Sequence, residues 1–168
     1  AYADGVPMGG VLAPRPSGAK APVFFVSAQQ DPESANLDRI QIIKGWTVGT
    51  ESREEVFDVA LATSEGARSL SALWIDPDFA PTGEAFYYVR VLEKPTPRWS
   101  THDAKALGIE PLVGLPRSIQ ERAFSSPIWC ASSGGALKVP TNSTGFEPAP
   151  QSELASASAL TLPVSLNR

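Results

Sequence analysis

The stretch FYYVRVLE, residues 86–93, contains neither Gly nor Pro and consists mostly of aromatic and aliphatic side chains. Aromatic and β-branched residues fit the pleated surface of a β-sheet. Because successive side chains of a strand point to opposite faces, both faces of this strand are apolar. One face carries Phe86, Tyr88 and Leu92, and the other carries Tyr87, Val89 and Val91. Apolar residues on both faces are typical of a strand in a sheet that is covered on both sides. Residues 86–93 are therefore predicted to form a central strand.

Further stretches of strand composition lie on both sides of this one. Residues 37–62 predict a β-hairpin, in which Gly45 and the polar stretch 47–52 make the turn. Short apolar runs predict strands at 21–28 and 70–75. A last strand is predicted to end near Trp129 at the edge of a sheet, because Pro127 cannot donate a backbone hydrogen bond. The fold class that follows is all-β with minor α, an antiparallel β-sandwich.

The rest of the chain divides into a short helix and a tail. Residues 101–107 predict one or two helical turns, with Thr101 as the cap and Gly108 in the left-handed closing position. After Cys130 the chain is rich in Ser, Ala, Pro, Thr and Gly, a composition that buries too little apolar surface to fold. We therefore predict a sandwich over 1–130 and a disordered tail over 131–168.

Composition excludes several classes of function. The formal net charge of −4 and the pI near 5.0 disfavour a nucleic-acid surface, which needs clustered Lys and Arg. No apolar run of about 18 residues is present, so no membrane span is predicted. With one cysteine no internal disulfide can form, and the compartment, periplasmic or cytoplasmic, stays open. Because the chain begins at Ala1 without an initiator Met, we expect it to be a piece of a longer protein.

No group of side chains predicts a reaction or a metal site. His102 is the only histidine, and a zinc site needs several ligands. Cys130 has no activating partner nearby and is interpreted as a partly buried thiol. Asp76 and Asp78 flank Pro77, and they are expected to bond the backbone of their own turn. No catalytic, cofactor-binding or metal-binding residue is predicted in this chain.

Arg90 is the charged residue that stands out, since it lies in the predicted central strand. A buried guanidinium needs a carboxylate or several carbonyls, and Asp58 or Glu121 could serve. We predict a structural ion pair of Arg90 with one of them. An anion-binding role for Arg90 is the alternative.

A series of phrases along the chain carries a family resemblance. The phrases are GVPMGG at 5–10, LDRIQIIKGW at 37–46, VFDVA at 56–60, WIDPDF at 74–79, AFYYVRVLE at 85–93, PTPRW at 95–99 and QERAFSSPIW at 120–129. In order and spacing they resemble an uncharacterised bacterial family, domain of unknown function 3604, which is related to the PHP (polymerase and histidinol phosphatase-like) metal-dependent hydrolases. The resemblance covers roughly residues 4–129 and corresponds to the C-terminal portion of the family.

This resemblance implies an immunoglobulin-like β-sandwich that packs against an upstream PHP barrel. Divalent metals are expected in that upstream domain, because none of the family's His-x-His or Asp-x-His metal motifs occurs in this chain. The implied function is a non-catalytic segment of a phosphoesterase-like hydrolase. Its partner is the upstream catalytic domain, and self-association through an exposed apolar face is expected when the segment is isolated.

The tryptophans leave a second function open. Trp46, Trp74, Trp99 and Trp129 are scattered along the chain. A free-standing ligand- or carbohydrate-binding module is the alternative, and two or more coplanar tryptophan rings on one open face would favour it. Buried or edge-packed tryptophans are commoner.

Overall fold

The computed structural model describes residues 1–81 and 83–131, and the predicted tail at 131–168 lies outside them except for Ala131. The described residues form short and long strands and one helix. The strands are β1 Tyr2–Ala3, β2 Val6–Pro7, β3 Val11–Leu12, β4 Val23–Gln29, β5 Leu37–Val48, β6 Glu51–Leu61, β7 Ser69–Ile75, β8 Ala85–Glu93, β9 Thr96–Pro97, β10 Ser118–Ile119, β11 Arg122–Phe124 and β12 Ile128–Cys130, and the helix is α1 Trp99–Leu107.

The predicted central strand is confirmed as β8. In the large sheet the strand order is β3-β12-β8-β5-β6, so β8 has a partner on each side. One side pairs with β5 over nearly its whole length. The other side pairs with β11 and then with β12, both antiparallel. Between these two short strands, the Val89 amide donates to the Ser125 hydroxyl at 3.0 Å.

The predicted hairpin is confirmed as β5 and β6, but its turn is tighter than expected. The turn lies at Gly49 and Thr50, where Gly49 has a φ of 62°. Gly45 is not a turn residue, because it pairs with Glu54 of β6 and with Phe86 of β8 inside β5. A Cβ atom on Gly45 would lie 2.3 Å from Cζ of Phe86. The absence of a side chain at Gly45 therefore leaves the space that the Phe86 ring occupies.

A small sheet with the order β2-β1-β4-β7 packs on the large one. Its strand β4 alternates between buried and exposed side chains, with Phe24 and Val26 in the core. Those side chains meet Ile40, Ile42 and Tyr87 of the large sheet. Phe24 and Tyr87 have ring centroids 4.7 Å apart. The mostly antiparallel β-sandwich predicted from the sequence is thus the observed fold.

The last described strand, β12, is not an edge strand as predicted. It pairs antiparallel with β8 and parallel with β3, which comes from the loop-rich start of the chain. Pro127 precedes the strand, and its carbonyl accepts a hydrogen bond from the Gly9 amide at 2.9 Å. Proline is therefore tolerated here because it lies just before the ladder.

The predicted helix begins two residues earlier than expected. Arg98 is the N-cap and makes no side-chain capping bond, whereas the Thr101 hydroxyl donates to the Arg117 carbonyl at 2.8 Å. Gly108 closes the helix in the left-handed region with a φ of 65°, as predicted. Among the described residues no helix is long and apolar enough to cross a membrane.

Candidate functional site

The structure joins Arg90 to Asp58 through a glutamine. The Arg90 Nε donates to Oε1 of Gln41 at 2.8 Å, and Nε2 of Gln41 donates to Oδ1 of Asp58 at 2.7 Å. Asp58 also lies 3.6 Å from the guanidinium of Arg39. No ion pair within residues 1–81 and 83–131 includes Arg90. Gln41 therefore supplies an acceptor on the strand next to β8.

Glu121, the other predicted partner of Arg90, forms a hydrogen bond through its main chain. The Glu121 carbonyl accepts a hydrogen bond from the Glu93 amide at 3.0 Å, and the Glu121 side chain is exposed.

His102 is exposed in the first half of α1. Within residues 1–81 and 83–131, no three His, Cys, Asp or Glu side chains are placed to hold a metal ion.

A buried ion-pair network that the sequence interpretation missed lies between the sheets at one end of the sandwich. It consists of Lys44, Asp76 and Tyr87. The Lys44 Nζ lies 2.6 Å from Oδ2 of Asp76, and the Tyr87 hydroxyl donates to the same oxygen at 2.7 Å. The Asp76 side chain is fully buried, and that of Lys44 is 7% exposed. Both charges are therefore almost withdrawn from water.

The turn at 76–78 completes this network. The Asp78 amide donates to Oδ1 of Asp76 at 2.9 Å, which confirms the predicted bond of the turn to its own backbone. The Asp78 carbonyl accepts from the Lys44 Nζ at 2.9 Å. Asp76 thus fixes its own turn and also neutralises a lysine 32 residues earlier in the chain. A lysine two residues after Ile42, on the core face of β5, was the sequence signal for this pair.

Burial also raises the pKa of two neutral groups, Tyr87 in the network and Cys130 in the adjoining core. It raises the pKa of the Tyr87 phenol, and the hydrogen bond to Asp76 adds to the rise. Burial raises the pKa of the Cys130 thiol to about 11. The Cys130 side chain lies in the core and is more deeply buried than predicted. Both groups are protonated near neutral pH, so Cys130 has little thiolate for nucleophilic chemistry.

Two cavities share Trp46, Thr47, Glu84 and Ala85, and the second of them adjoins the network. The first, which we call the aromatic cavity, has a volume of about 390 Å³. It is lined by Gly45, Trp46, Thr47, Ser52, Arg53, Glu54, Glu84, Ala85, Phe86 and Trp129. The second, of about 460 Å³, reaches Lys44, Asp78 and Tyr87. Over the Trp46 ring, the Lys44 Nζ lies 5.2 Å from the centroid.

A segment after β9 exposes many apolar side chains, and we call it the apolar arm, residues 99–119. Helix α1 buries only Ala104, while Trp99 and Leu107 are each 70% exposed. In the following loop Val113 is fully exposed. The other exposed large apolar side chains of the arm are Ile109, Leu112, Leu115 and Ile119.

The outer face of the small sheet has a second apolar surface, which we call the sheet patch. Tyr2, Phe25 and Leu73 pair directly across three neighbouring strands. Val23 and Ile75 form the next pair on the same face. All five side chains are between 39% and 72% exposed.

Comparison with known protein families gives a match to this chain. A model of the family described as "Protein of unknown function (DUF3604)" matches the chain at residues 1–66 and 61–132. Together the two segments include every described residue. No curated protein and no solved structure matches the chain.

Proposed function

The chain belongs to the DUF3604 family of proteins of unknown function, and on this premise we propose that it is the non-catalytic β-sandwich segment of a PHP-like metal-dependent hydrolase. The segment packs against the catalytic barrel and walls one side of its cleft. The barrel would hold divalent metal ions, which supply an activated water for phosphoester hydrolysis. The motivating sequence observation is the set of family phrases without metal-binding motifs.

The apolar arm is the structural observation that carries this proposal. Soluble monomers seldom expose large contiguous apolar patches unless the patch binds another surface. Val113 is fully exposed and Leu112 is 63% exposed. Burying one such side chain in an interface contributes about 1.5–3 kcal/mol of favourable free energy, because its apolar surface is removed from water. The arm is therefore well suited to bind a neighbouring domain.

The proposal is tested first on the DNA and then by binding. The reading frame upstream of Ala1 should encode a domain with His-x-His and Asp-x-His motifs. That domain, expressed separately, should bind the full 168-residue chain in a calorimetric titration. Leu112→Asp and Val113→Asp should each weaken binding at least tenfold, because about 1.4 kcal/mol corresponds to a factor of ten.

A matched control is available outside the arm. Leu61 ends β6 and is 65% exposed, so Leu61→Asp makes the same chemical change elsewhere. This variant should bind the upstream domain as the parent chain does. Unchanged binding by both arm variants would overturn the docking role. Metal-dependent phosphoesterase activity in this chain alone would overturn the claim that it is non-catalytic.

The sheet patch supports the expected self-association. If copies of the chain associate through this face, Leu73→Asp should lower the mass measured by light scattering to that of a monomer. The substitution leaves the arm intact, so binding of the upstream domain should be unchanged. A parent chain that is already monomeric at high concentration would refute self-association and leave the docking proposal standing.

One observation favours the alternative, a free-standing ligand- or carbohydrate-binding module. Trp46 and Trp129 line the same cavity. Such a module would bind its ligand without an upstream domain. An upstream frame that lacks paired histidines, together with ligand binding by the isolated chain, would select this function.

A further inference from the structure

One row of residues across four strands contributes to the lining of the aromatic cavity. Trp129 of β12 lies opposite Phe86 of β8, and Phe86 lies opposite Gly45 of β5. Gly45 in turn lies opposite Glu54 of β6. Residues directly opposite one another point to the same face of a sheet. Two aromatic rings and one carboxylate therefore project to the same side, with no side chain at Gly45 to separate them.

The rings form a corner rather than a flat platform. The Phe86 and Trp129 centroids are 5.3 Å apart, with 49° between the ring planes. All three aromatic residues of the lining, Trp46, Phe86 and Trp129, are half-buried. The ring of Trp46 is already close to one ammonium group, that of Lys44. The Phe86 and Trp129 rings therefore lack the coplanar faces that would favour binding of a sugar ring.

The rim of the cavity is acidic. Glu54 and Glu84 line it, while Arg53 is the one basic residue among the described residues of the lining. The Arg53 guanidinium lies 2.6 Å from a carboxylate oxygen of Glu51, so its positive charge is balanced outside the lining. Thr47 and Ser52 add hydroxyl groups. The cavity therefore combines aromatic faces with the carboxylate of Glu54, whose side chain is exposed.

From this combination we propose that the aromatic cavity binds an organic cation, a quaternary or alkylated ammonium group. Aromatic faces attract such cations through the ring quadrupole. Carboxylates at the rim add charge attraction, and a volume of about 390 Å³ is in the usual range for small-molecule sites. The inference is independent of docking through the apolar arm.

Choline is the probe for this proposal, and 3,3-dimethyl-1-butanol is its uncharged isostere. Each is titrated into the full chain at pH 7, with tryptophan fluorescence and calorimetry as readouts. Choline should bind at least tenfold more tightly than the isostere. Its affinity should fall severalfold between 50 mM and 500 mM NaCl, because salt screens charges at an exposed rim.

Substitutions locate the binding. Glu54→Gln, an exposed change that keeps the size of the side chain, should weaken choline binding about twofold to fivefold, the range expected from one partly screened charge. Trp129→Leu should weaken it at least tenfold. The matched controls are Glu121→Gln and Trp99→Leu, which lie outside the cavity and should leave the affinity unchanged. Circular dichroism verifies that each variant folds.

Three outcomes would overturn the proposal. Equal affinity for choline and the isostere would show a merely apolar cavity. Binding of glucose or galactose in place of choline would show a carbohydrate site. Unchanged choline affinity in both Glu54→Gln and a folded Trp129→Leu would place the cation elsewhere.

Discussion

Replacing Asp76 by Asn tests the buried ion-pair network. The change keeps the shape of the side chain but leaves the Lys44 ammonium, whose side chain is 7% exposed, without its counter-charge. Breaking a buried pair by removing one partner costs about 3–5 kcal/mol. For a chain of 168 residues this corresponds to a fall in Tm of roughly 6–20 °C. We therefore expect Asp76→Asn to be strongly destabilising.

The assay is urea unfolding at pH 7, followed by far-ultraviolet circular dichroism. The midpoint should fall while the slope m is unchanged, which would mean that the native state is less stable and equally compact. Lys44→Met should destabilise by a similar amount, because it leaves the Asp76 carboxylate unpaired. The double variant should lose clearly less than the sum of the two single losses, since partners in contact couple by about 0.5–3 kcal/mol.

Two results would refute this reasoning. A loss below about 1 kcal/mol in Asp76→Asn would be typical of an exposed pair and would contradict burial. Additive losses in the double variant would mean that Lys44 and Asp76 do not stabilise each other. A Glu65→Gln variant, changed at an exposed loop carboxylate, serves as the control and should unfold at the parent midpoint.

Two further predictions concern protons. The hydrogen bonds of Lys94 and Arg39 hold the pKa of Asp38 below its usual value, so its stabilising effect is present above about pH 4 and is lost as the pH falls below that. The destabilisation caused by Asp38→Asn should accordingly shrink between pH 5 and pH 2, and a difference independent of pH would contradict the assignment. Cys130, with a thiol pKa of about 11, should react with a disulfide reagent at pH 8 at least roughly a hundredfold more slowly in the native chain than in urea, and equal rates would show an accessible thiol.

Local patterns were sufficient to predict the sandwich and its central strand. The composition of residues 86–93 predicted β8, although only one of its faces packs in the core between the sheets. On the other face Phe86 and Tyr88 stack on each other and are half-buried. Alternation predicted β5 and β6 as a hairpin. Gly45 was assigned to the turn because glycine usually interrupts or ends a strand. That Phe86 of β8 lies opposite Gly45 of β5 could not be inferred from the residues near Gly45 alone.

The candidate sites depend on contacts between distant segments, and these were harder to predict. Asp76 was recognised as a turn residue, but its pairing with Lys44 requires the two sheets to close on each other. Similarly, the edge strand predicted from Pro127 was wrong, because no residue near Pro127 shows that β3 lies beside β12. The aromatic cavity needs the register of four strands, which no single stretch contains.

The parallel pairing of β3 with β12 has a consequence for synthesis on the ribosome. Val11 and Leu12 are translated more than a hundred residues before their partners Trp129 and Cys130. Until these partners are translated, β8 lacks its partner strand β12, and Phe86 of β8 lacks the neighbouring ring of Trp129. Unpaired strand edges of this kind promote misassembly. The large sheet is therefore complete only after β12 has been translated.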